Sequence, residues 1–546
     1  MKKIFKWLAI GIAVLVVLLL LAGFVTSWYY NNFESEYPSG GLLSENQHNY
    51  DVLYYDINLQ VSLDEEEIAG YTIVKLKILE NNVDHIELDL LDSFKIDSIV
   101  IQGQDVEYQQ QLNKLRVYTA KPLYNSQLID IKICYAGKPP EAKYPPWLGG
   151  FTWSEDDSGY AWIGLSCQGE GAKIWFPCKD HPSDEPDSAA INITVPEQYF
   201  VAANGLLTKT SVPAVGLKTY HWLTRYPINN YLINFGIGKF LKVQDVYKSS
   251  DGTEIPVIFY VLPQLENGAR EFVEEAITTT ESFEKFFGPY PWKNEKIGFL
   301  NTPFSGMEHQ TIIAYGNSYR QTHVDGFKFD PLLVHELAHE WWGNKVTVHD
   351  WADFWIHEGF ATYAEALLVL DKAGEDAYHH YMNRTKNKIV NYVPLVLGTN
   401  LSSSESYHTD IYNKGAAFVH TLRYVLQDSI FFKTLKEFAT DSAYTYKNLV
   451  DTRDFIDLIE KNSGQDLTAL FDLYLRTNNY PSVRIDSVAQ NTYSVSIPNI
   501  DFKIPMDVSY NDTTARFLLG PEEVTIISSH VPVVDEKGWY LKEENN

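Results

Sequence analysis

The sequence predicts an α+β protein of several domains that follow an N-terminal transmembrane helix. Three observations support this: an uncharged apolar stretch near the N-terminus, strand-like alternation over residues 50–241, and helical periodicity that later returns to alternation. With 546 residues the chain is too long for one hydrophobic core and suits roughly three domains. The predicted divisions are an anchor at 1–30, a stalk at 31–45, a β domain at 46–242, a mostly helical domain at 243–478 and a small β domain at 479–546.

The composition is that of a folded globular protein. An apolar fraction of 45% and a charged fraction of 21% exclude a disordered, collagen-like or multi-span membrane protein. A net charge of −27 argues against nucleic acid as a partner, because phosphate binding needs a basic surface. The acidity indicates a solvated surface, with an acidic cleft for cationic substrates as the alternative. Three cysteines exclude a disulfide scaffold; Cys167 and Cys178 either pair or remain buried thiols.

The first 30 residues have the features of a membrane anchor. Lys2, Lys3 and Lys6 precede the uncharged stretch Trp7–Val25, and the aromatic residues 28–30 follow it. At ~1.5 Å per residue this helix would be about 28 Å long, close to the thickness of a bilayer's hydrocarbon core. The lysines should stay in the cytoplasm, so we expect a single-pass protein of the cell membrane with everything after Thr26 outside the cell. The alternative is a cleaved signal peptide, whose apolar core is usually shorter.

The remainder of the chain divides by its hydrophobic period. Residues 31–45 are polar and contain a Pro-Ser-Gly-Gly segment, which predicts a short stalk. Strand-like segments separated by turn residues then predict a β domain to residue 242. A predicted helix begins at about residue 266 and ends at Gly288-Pro289. Helical patterns then dominate to about residue 475. Alternation returns after Pro481, which predicts a small terminal β domain.

The segment HELAHEWWGN contains a His-Glu-x-x-His motif. Asp330 and Pro331 suit the cap and first position of a helix that would stop near Gly343. On such a helix His335 and His339 project from one face, so both imidazoles can reach one metal ion. Glu336 follows the first histidine and is placed to act as a general base on a water molecule at the metal.

A third metal ligand is expected on a second helix. Eighteen residues separate His339 from Glu358, which lies in the helical segment WIHEGFATYAE. Two neutral histidines and a carboxylate with an open fourth position form the usual catalytic arrangement for one Zn²⁺ ion. Glu365 lies two turns after Glu358 and could orient a ligand imidazole.

These motifs resemble the aminopeptidase N family of gluzincin zinc metallopeptidases, which also contains leukotriene hydrolases. The similarity extends to FSGMEHQT at 304–311, FGPYPW at 287–292, IYNKGAAF at 411–418 and QGEGAKIWFPCKDHPSDEP at 168–186, and it covers most of residues 48–480. The resemblance implies a saddle-like β domain, a thermolysin-like catalytic domain and a small C-terminal β-sandwich.

The resemblance also implies roles for individual residues. Glu308 matches the carboxylate that holds the substrate's free α-ammonium group, and Gln168 is similar to a second partner of that group. Glycine at position 306 lets the backbone approach the substrate closely. Met307 is a candidate pocket wall, with ordinary core packing as the alternative. Tyr412 matches a tyrosine that donates a hydrogen bond to the tetrahedral oxyanion.

The expected function is therefore that of a membrane-anchored zinc aminopeptidase acting on peptides with a free N-terminus. Two residues depart from the family pattern: His309 and His357 stand where asparagine is usual, and we expect His357 to be structural. Two alternatives are another zinc hydrolase, either an endopeptidase or an epoxide hydrolase, and a non-catalytic membrane-anchored binding protein.

Overall fold

A computed structural model describes residues 35–543 of the chain. The anchor predicted at residues 7–25 lies outside this range and stays a prediction. Between residues 35 and 543, every helix is too short or too polar to cross a bilayer.

The region up to residue 238 consists of β-strands and short 3₁₀ turns, which confirms the predicted β-rich N-terminal domain. Its strands are β1 (Tyr50–Ser62), β2 (Glu67–Ile78), β3 (Val83–Asp89), β4 (Lys95–Ile101), β5 (Gln104–Asp105), β6 (Tyr108–Gln111), β7 (Lys114–Leu123), β8 (Leu128–Gly137), β9 (Gly150–Glu155), β10 (Ala161–Ser166), β11 (Ser188–Pro196), β12 (Phe200–Ala203), β13 (Leu206–Ser211), β14 (Leu217–Thr224) and β15 (Phe235–Gly238).

These strands form an eight-stranded sheet in the order β13-β14-β11-β1-β2-β8-β4-β5, a four-stranded sheet β12-β15-β10-β9 and a three-stranded sheet β3-β7-β6. Strand β1 pairs in parallel with β11 and antiparallel with β2. Along β11, Ala189, Ile191, Ile193 and Val195 are buried while their neighbours are partly exposed. This alternation is the pattern by which the sequence predicts strands, since successive side chains point to opposite faces of a sheet.

The second region combines helices with a mixed sheet. Its strands are β16 (Leu241–Lys248), β17 (Glu254–Val261), β18 (Ile297–Asn301), β19 (Gly306–Met307), β20 (Ile313–Tyr315), β21 (Thr322–Val324) and β22 (Phe327–Phe329). Its helices are α1 (Ala269–Phe287), α2 (Pro331–Ala338), α3 (Trp355–Ala373), α4 (Glu375–Lys386), α5 (Ser403–Ser406), α6 (Asp410–Thr440), α7 (Thr452–Ser463) and α8 (Thr468–Arg476).

The mixed sheet runs in the order β16-β17-β18-β20-β19. The predicted domain division between residues 242 and 243 falls inside β16, because β16 pairs with β17 and belongs to this sheet. Helix α1 ends before Gly288, as predicted. Helix α6 is broken at Gln427, whose φ is +61°.

Beyond residue 480 the chain returns to strands, namely β23 (Arg484–Ala489), β24 (Thr492–Ser496), β25 (Ile504–Tyr510), β26 (Thr513–Leu519), β27 (Val524–Ile527) and β28 (Val533–Val534). They form two three-stranded sheets, β23-β24-β27 and β26-β25-β28. In the β domain, Cys167 and Cys178 are buried free thiols, so the pairing left open by the sequence is absent.

Part of the predicted stalk packs against the protein. Ser39 is only 2% exposed, and its backbone hydrogen-bonds both to Gly169 of the β domain and to Ser403 of α5. The segment around Ser39, which belongs to the described part of the predicted stalk, therefore contacts both large domains.

Helices α3 and α6 contact each other through two glycines. A Cβ atom added to Gly359 of α3 would lie 2.9 Å from the Cα atom of Gly415 in α6, which is closer than packed carbon atoms tolerate. Gly359 directly follows Glu358, and Gly415 lies three residues after Tyr412. The backbone contact therefore sets the separation of the two helices that carry these side chains.

We predict that Gly359→Ala lowers the free energy of unfolding by about 1–3 kcal/mol, because the added methyl group forces the helices apart. It should also weaken Zn²⁺ binding by displacing Glu358. Denaturant unfolding and zinc titration measure the two effects. Gly374→Ala, at the end of the same helix, is the control for zinc binding: its φ of +88° strains alanine and lowers stability, but a Cβ there meets no atom within 4 Å, so it should retain the parent's zinc affinity. Parental zinc affinity and stability in Gly359→Ala would contradict this account of the helix contact.

Candidate metal centre and substrate cleft

Helix α2 begins where the sequence predicts. The Asp330 carboxylate accepts hydrogen bonds from the backbone N–H groups of Leu332 and Leu333 at 3.0 and 3.3 Å, and Pro331 occupies the first helical position. The regular helix ends at Ala338, earlier than the predicted stop at Gly343. His339 keeps helical torsion angles, with φ −62° and ψ −20°, so it still shares a face with His335.

Three predicted metal ligands converge in this structure. The Nε2 atoms of His335 and His339 lie 3.1 Å apart, and Glu358 Oε2 lies 3.3 and 3.4 Å from them, respectively. Ligand atoms at about 2.0–2.1 Å from a tetrahedral zinc ion lie about 3.3–3.4 Å from one another. The spacing of the three atoms therefore suits a single zinc ion.

The hydrogen bonds around the two imidazoles support this interpretation. His339 Nδ1 donates to the backbone oxygen of Trp342 at 2.7 Å, and His335 Nδ1 lies 3.1 Å from Glu365 Oε1. Each Nδ1 thus carries a proton, which leaves the Nε2 lone pairs facing each other and Glu358 Oε2, a buried atom without a hydrogen-bond partner. A shared cation resolves this repulsion. Tyr381 donates to the other oxygen of Glu365 and so holds that carboxylate in place.

Glu336 lies beside these ligands but on the substrate side. The residue is 7% exposed and lines a cleft of about 350 Å³ together with His335, His339 and Glu358. Burial raises the pKa of Glu336 to about 8, against the lowering effect of the two nearby imidazoles. A carboxylate with a raised pKa can accept and return a proton near neutral pH.

The missing side chain of Gly306 leaves space for the Glu336 carboxylate in addition to the space expected for a substrate. A Cβ atom on Gly306 would lie 2.6 Å from Glu336 Oε1 and 2.7 Å from Leu332 Cδ1. Gly306 and Met307 form the edge strand β19, which pairs with β20, and Met307 is buried in the wall of the same cleft.

Glu308 lies in the cleft close to the metal ligands. Its carboxylate accepts a hydrogen bond from Gln168 Nε2 at 2.5 Å, and the same amide group donates to Glu358 Oε1 at 3.3 Å. Tyr231 donates a longer bond of 3.4 Å to Glu308. Burial is the main cause that raises the pKa of Glu308. The structure thus brings both predicted amine-binding groups, Glu308 and Gln168, to the same end of the cleft.

Tyr412 of α6 lines the same cleft as the metal ligands. Its ring stacks on the imidazole of His335 with the centroids 5.8 Å apart. Its hydroxyl group is 3.3 Å from that of Tyr407, and both tyrosines line the cleft. The hydroxyl group of Tyr412 is therefore available to a substrate oxygen near the metal.

The two histidines that depart from the family pattern are both buried and neutral. His309 Nε2 contacts Asn234 at 3.0 Å, and burial lowers the pKa of His309 to about 3. His357 Nε2 accepts a hydrogen bond from the backbone of Val348 at 3.0 Å, and burial lowers its pKa to about 3 as well. His357 packs edge-on against Trp351 and is in neither group of described residues whose ligand atoms could share one metal ion, in line with the structural role expected for it.

Three residues that support the site are absent from the sequence-based prediction. Asn344 donates to the backbone oxygen of Glu308 at 2.9 Å, and Glu340 accepts from the backbone of Thr311 at 2.9 Å, so the metal-binding segment also holds the loop that carries Glu308. Both lie inside HELAHEWWGN, and polar residues in such an apolar, motif-bearing segment could have been predicted to support the site. Tyr231 lies in no motif and could not be singled out among 36 tyrosines.

Comparison with protein families gives two matches. Residues 51–232 match the peptidase M1 N-terminal domain, and residues 270–474 match the peptidase family M1 domain. A leucyl aminopeptidase of Saccharolobus solfataricus is 23% identical over 508 residues, which are 87% of this chain and 60% of that protein. Aminopeptidase N of Lactococcus lactis is 23% identical over 80% of this chain and 52% of its own length. The chain thus spans just over half of the length of these relatives.

Solved structures give the same result for the fold, and the match takes in nearly the whole of the solved chain. A mutant M1 zinc metallopeptidase from Deinococcus radiodurans, bound to a Tyr-Ser-Ala substrate, has a TM-score of 0.67 and 25% identity, and the match covers 82% of this chain and 98% of that one. The two family matches together take in most of residues 51–474, with the metal ligands inside the second. The chain belongs to peptidase family M1.

Proposed function

We propose that this protein is a zinc aminopeptidase that removes the N-terminal residue of peptides. The observation that carries the proposal is the position of Glu308, a buried carboxylate in the same cleft as His335, His339 and Glu358. An anion close to the metal binds the ammonium group at the start of a peptide and places the first peptide bond next to the metal. The aminopeptidase names of the relatives support the same activity.

In the proposed mechanism, His335, His339 and Glu358 hold the metal. When bound, Zn²⁺ supplies Lewis-acid chemistry that acidifies water and polarises a carbonyl oxygen. Glu336 takes a proton from the attacking water molecule and passes it to the leaving amine. Tyr412 donates a hydrogen bond to the oxyanion that develops on the carbonyl group.

The amine-binding end of the cleft favours an aminopeptidase over the other zinc hydrolases. Glu308, Gln168 and Tyr231 form a buried cluster of hydrogen bonds. An endopeptidase has to pass a peptide chain through this end of the cleft, where an acidic group would meet an uncharged amide. A non-catalytic binding protein has no need of Glu336 and Tyr412 beside the metal ligands.

We also propose that the enzyme is anchored in the cell membrane through residues 7–25, with its catalytic domains outside the cell and no nucleic acid among its partners. The support is the sequence alone: an uncharged stretch of the right length follows three lysines, and the chain has a net charge of −27. Protease protection of the catalytic domains in sealed, right-side-out vesicles would contradict this orientation.

We predict that Glu336→Gln retains zinc and lowers kcat about 10²–10⁴-fold, because the amide cannot accept the proton of the attacking water. Amino-acid anilide hydrolysis and zinc content per chain give the two readouts. Glu281→Gln, an exposed change of the same kind on α1, is the control. Parental turnover by zinc-loaded Glu336→Gln would exclude the general-base role.

We predict that Glu308→Gln lowers kcat/KM for peptides with a free N-terminus by about 30-fold or more, because a buried charge pair of this kind is worth about 2–5 kcal/mol. The parent should leave N-acetylated peptides almost uncleaved. Competition between free and acetylated forms of one peptide measures the preference. An equal loss on both forms would favour an endopeptidase.

We predict that Tyr412→Phe lowers kcat about 10²–10³-fold with little change in KM, because it removes one donor to the oxyanion. Steady-state kinetics on an anilide substrate separates the two constants. Tyr392→Phe is the control, since Tyr392 is 84% exposed. If KM rises while kcat is unchanged, Tyr412 binds substrate rather than the oxyanion.

A further inference from the structure

We propose that the segment Ser35–Gly40, which we call the strap, positions the groups that bind the substrate's amine. The strap does not contact the substrate cleft itself. It lies behind the cleft, where it joins three segments that carry cleft residues. This inference rests on the proposed function, because it concerns the subsite formed by Glu308, Gln168 and Tyr231.

The first connection is to the loop that carries Gln168. The backbone N–H of Ser39 donates to the backbone oxygen of Gly169 at 3.0 Å, and Gly169 directly follows Gln168. Lys173 Nζ donates to the backbone oxygen of Pro38 at 2.8 Å, and Ser35 Oγ donates to Glu170 Oε1 at 3.1 Å. Strap residues thus contact three positions within the five residues that follow Gln168.

The second connection leads to Glu308 through two aromatic rings. Gly40 has a φ of +77°, and a Cβ atom there would lie 2.4 Å from Trp351 Cδ1, so the strap packs directly on this indole. The Trp351 ring meets Tyr231 edge-on at a centroid distance of 5.3 Å. Tyr231 in turn donates to Glu308. Displacing the strap would therefore move the partner of the amine-binding carboxylate.

The third connection crosses to the catalytic domain. Ser403 Oγ accepts from the backbone N–H of Ser39 at 3.0 Å and donates to the backbone oxygen of Gly169. The backbone N–H of Ser403 donates to the backbone oxygen of Ser39 at 2.8 Å. Ser403 begins α5, which is followed by Tyr407, a neighbour of Tyr412. One serine therefore links the strap, the Gln168 loop and the tyrosine side of the cleft.

Burial makes these bonds costly to lose. Ser39 Oγ also donates to Asp180 at 3.3 Å, and Asp180 forms a buried ion pair of 2.6 Å with Lys173. Without the strap, the backbone N–H of Ser403 and one position of the Lys173 ammonium group would lack partners inside the protein. Unpaired buried donors are unfavourable, so the loop after Gln168 would rearrange instead of staying in place.

The test compares two neighbouring glycines in the full-length, zinc-loaded protein. Gly40→Ala drives a methyl group into Trp351, whereas Gly41→Ala introduces the same left-handed strain, with φ +83°, but meets no atom within 4 Å. Ser403→Ala removes both hydrogen bonds of the Ser403 hydroxyl group without adding bulk, and it decides the question if Gly40→Ala does not fold. Thermal unfolding and zinc content verify that each variant is intact.

We expect Gly40→Ala and Ser403→Ala each to raise the KM of leucine p-nitroanilide and the Kd of free L-leucine about tenfold, because the amine subsite is misplaced by less than about 1 Å. The zinc content should be unchanged, and kcat should stay within about threefold of the parent's value. Gly41→Ala should keep the parent's values. The Kd of L-leucine reports binding without turnover, so an inactive parent that still binds leucine would refute the proposed hydrolysis and leave the strap's role measurable.

Two results would overturn the role of the strap. One is a KM and a leucine Kd in folded Gly40→Ala and Ser403→Ala that equal those of Gly41→Ala. The other is a loss of zinc or of kcat with KM unchanged, because that outcome indicates a general structural role and not positioning of the amine subsite.

Discussion

His335, His339 and Glu358 place three electron-rich atoms within 3.4 Å of each other in a buried cleft. Without a cation this arrangement is repulsive, since both imidazoles use their Nδ1 protons elsewhere. Much of the catalytic domain serves to hold these atoms together. Asp330 starts the helix that carries the two histidines, and the glycine contact between α3 and α6 sets the distance between the helices that carry Glu358 and Tyr412. Helix packing thus brings the ligand side chains together, and the hydrogen bonds of the two imidazoles then fix the orientation of the rings.

The acidic groups in the cleft have different environments, which gives them different roles. Burial raises the pKa of Glu358, but the two imidazoles that face it outweigh burial when they are protonated and lower its pKa, as a bound cation would. Glu336 and Glu308 lie in the same cleft, and for both burial is the main cause of a raised pKa. Gln168 and Tyr231 donate to Glu308 but not to Glu336. One carboxylate is therefore held as a fixed anchor while the other is free to exchange protons.

Much of the fold and most of the site could be predicted from the sequence, because their signals are local. The alternation in β11 and the Asp330-Pro331 helix start are both visible in a few residues. Strand β18 gave no such signal: all of its residues are buried, so it has no alternation of period two. Tyr231 and the strap were missed for a different reason. Their contacts join residues that are far apart in the chain, and a short polar segment that contains proline and glycine has the composition of a linker whether or not it packs.

The most direct test of this account is the position of the metal. A crystal structure of the zinc-loaded protein, with anomalous diffraction recorded at the zinc absorption edge, locates the ion without reference to activity. We expect one peak about 2.0–2.2 Å from the Nε2 atoms of His335 and His339 and from a carboxylate oxygen of Glu358. A peak held instead by Glu308, Glu336 and His339, or a Glu358 side chain turned away from the ion, would contradict it.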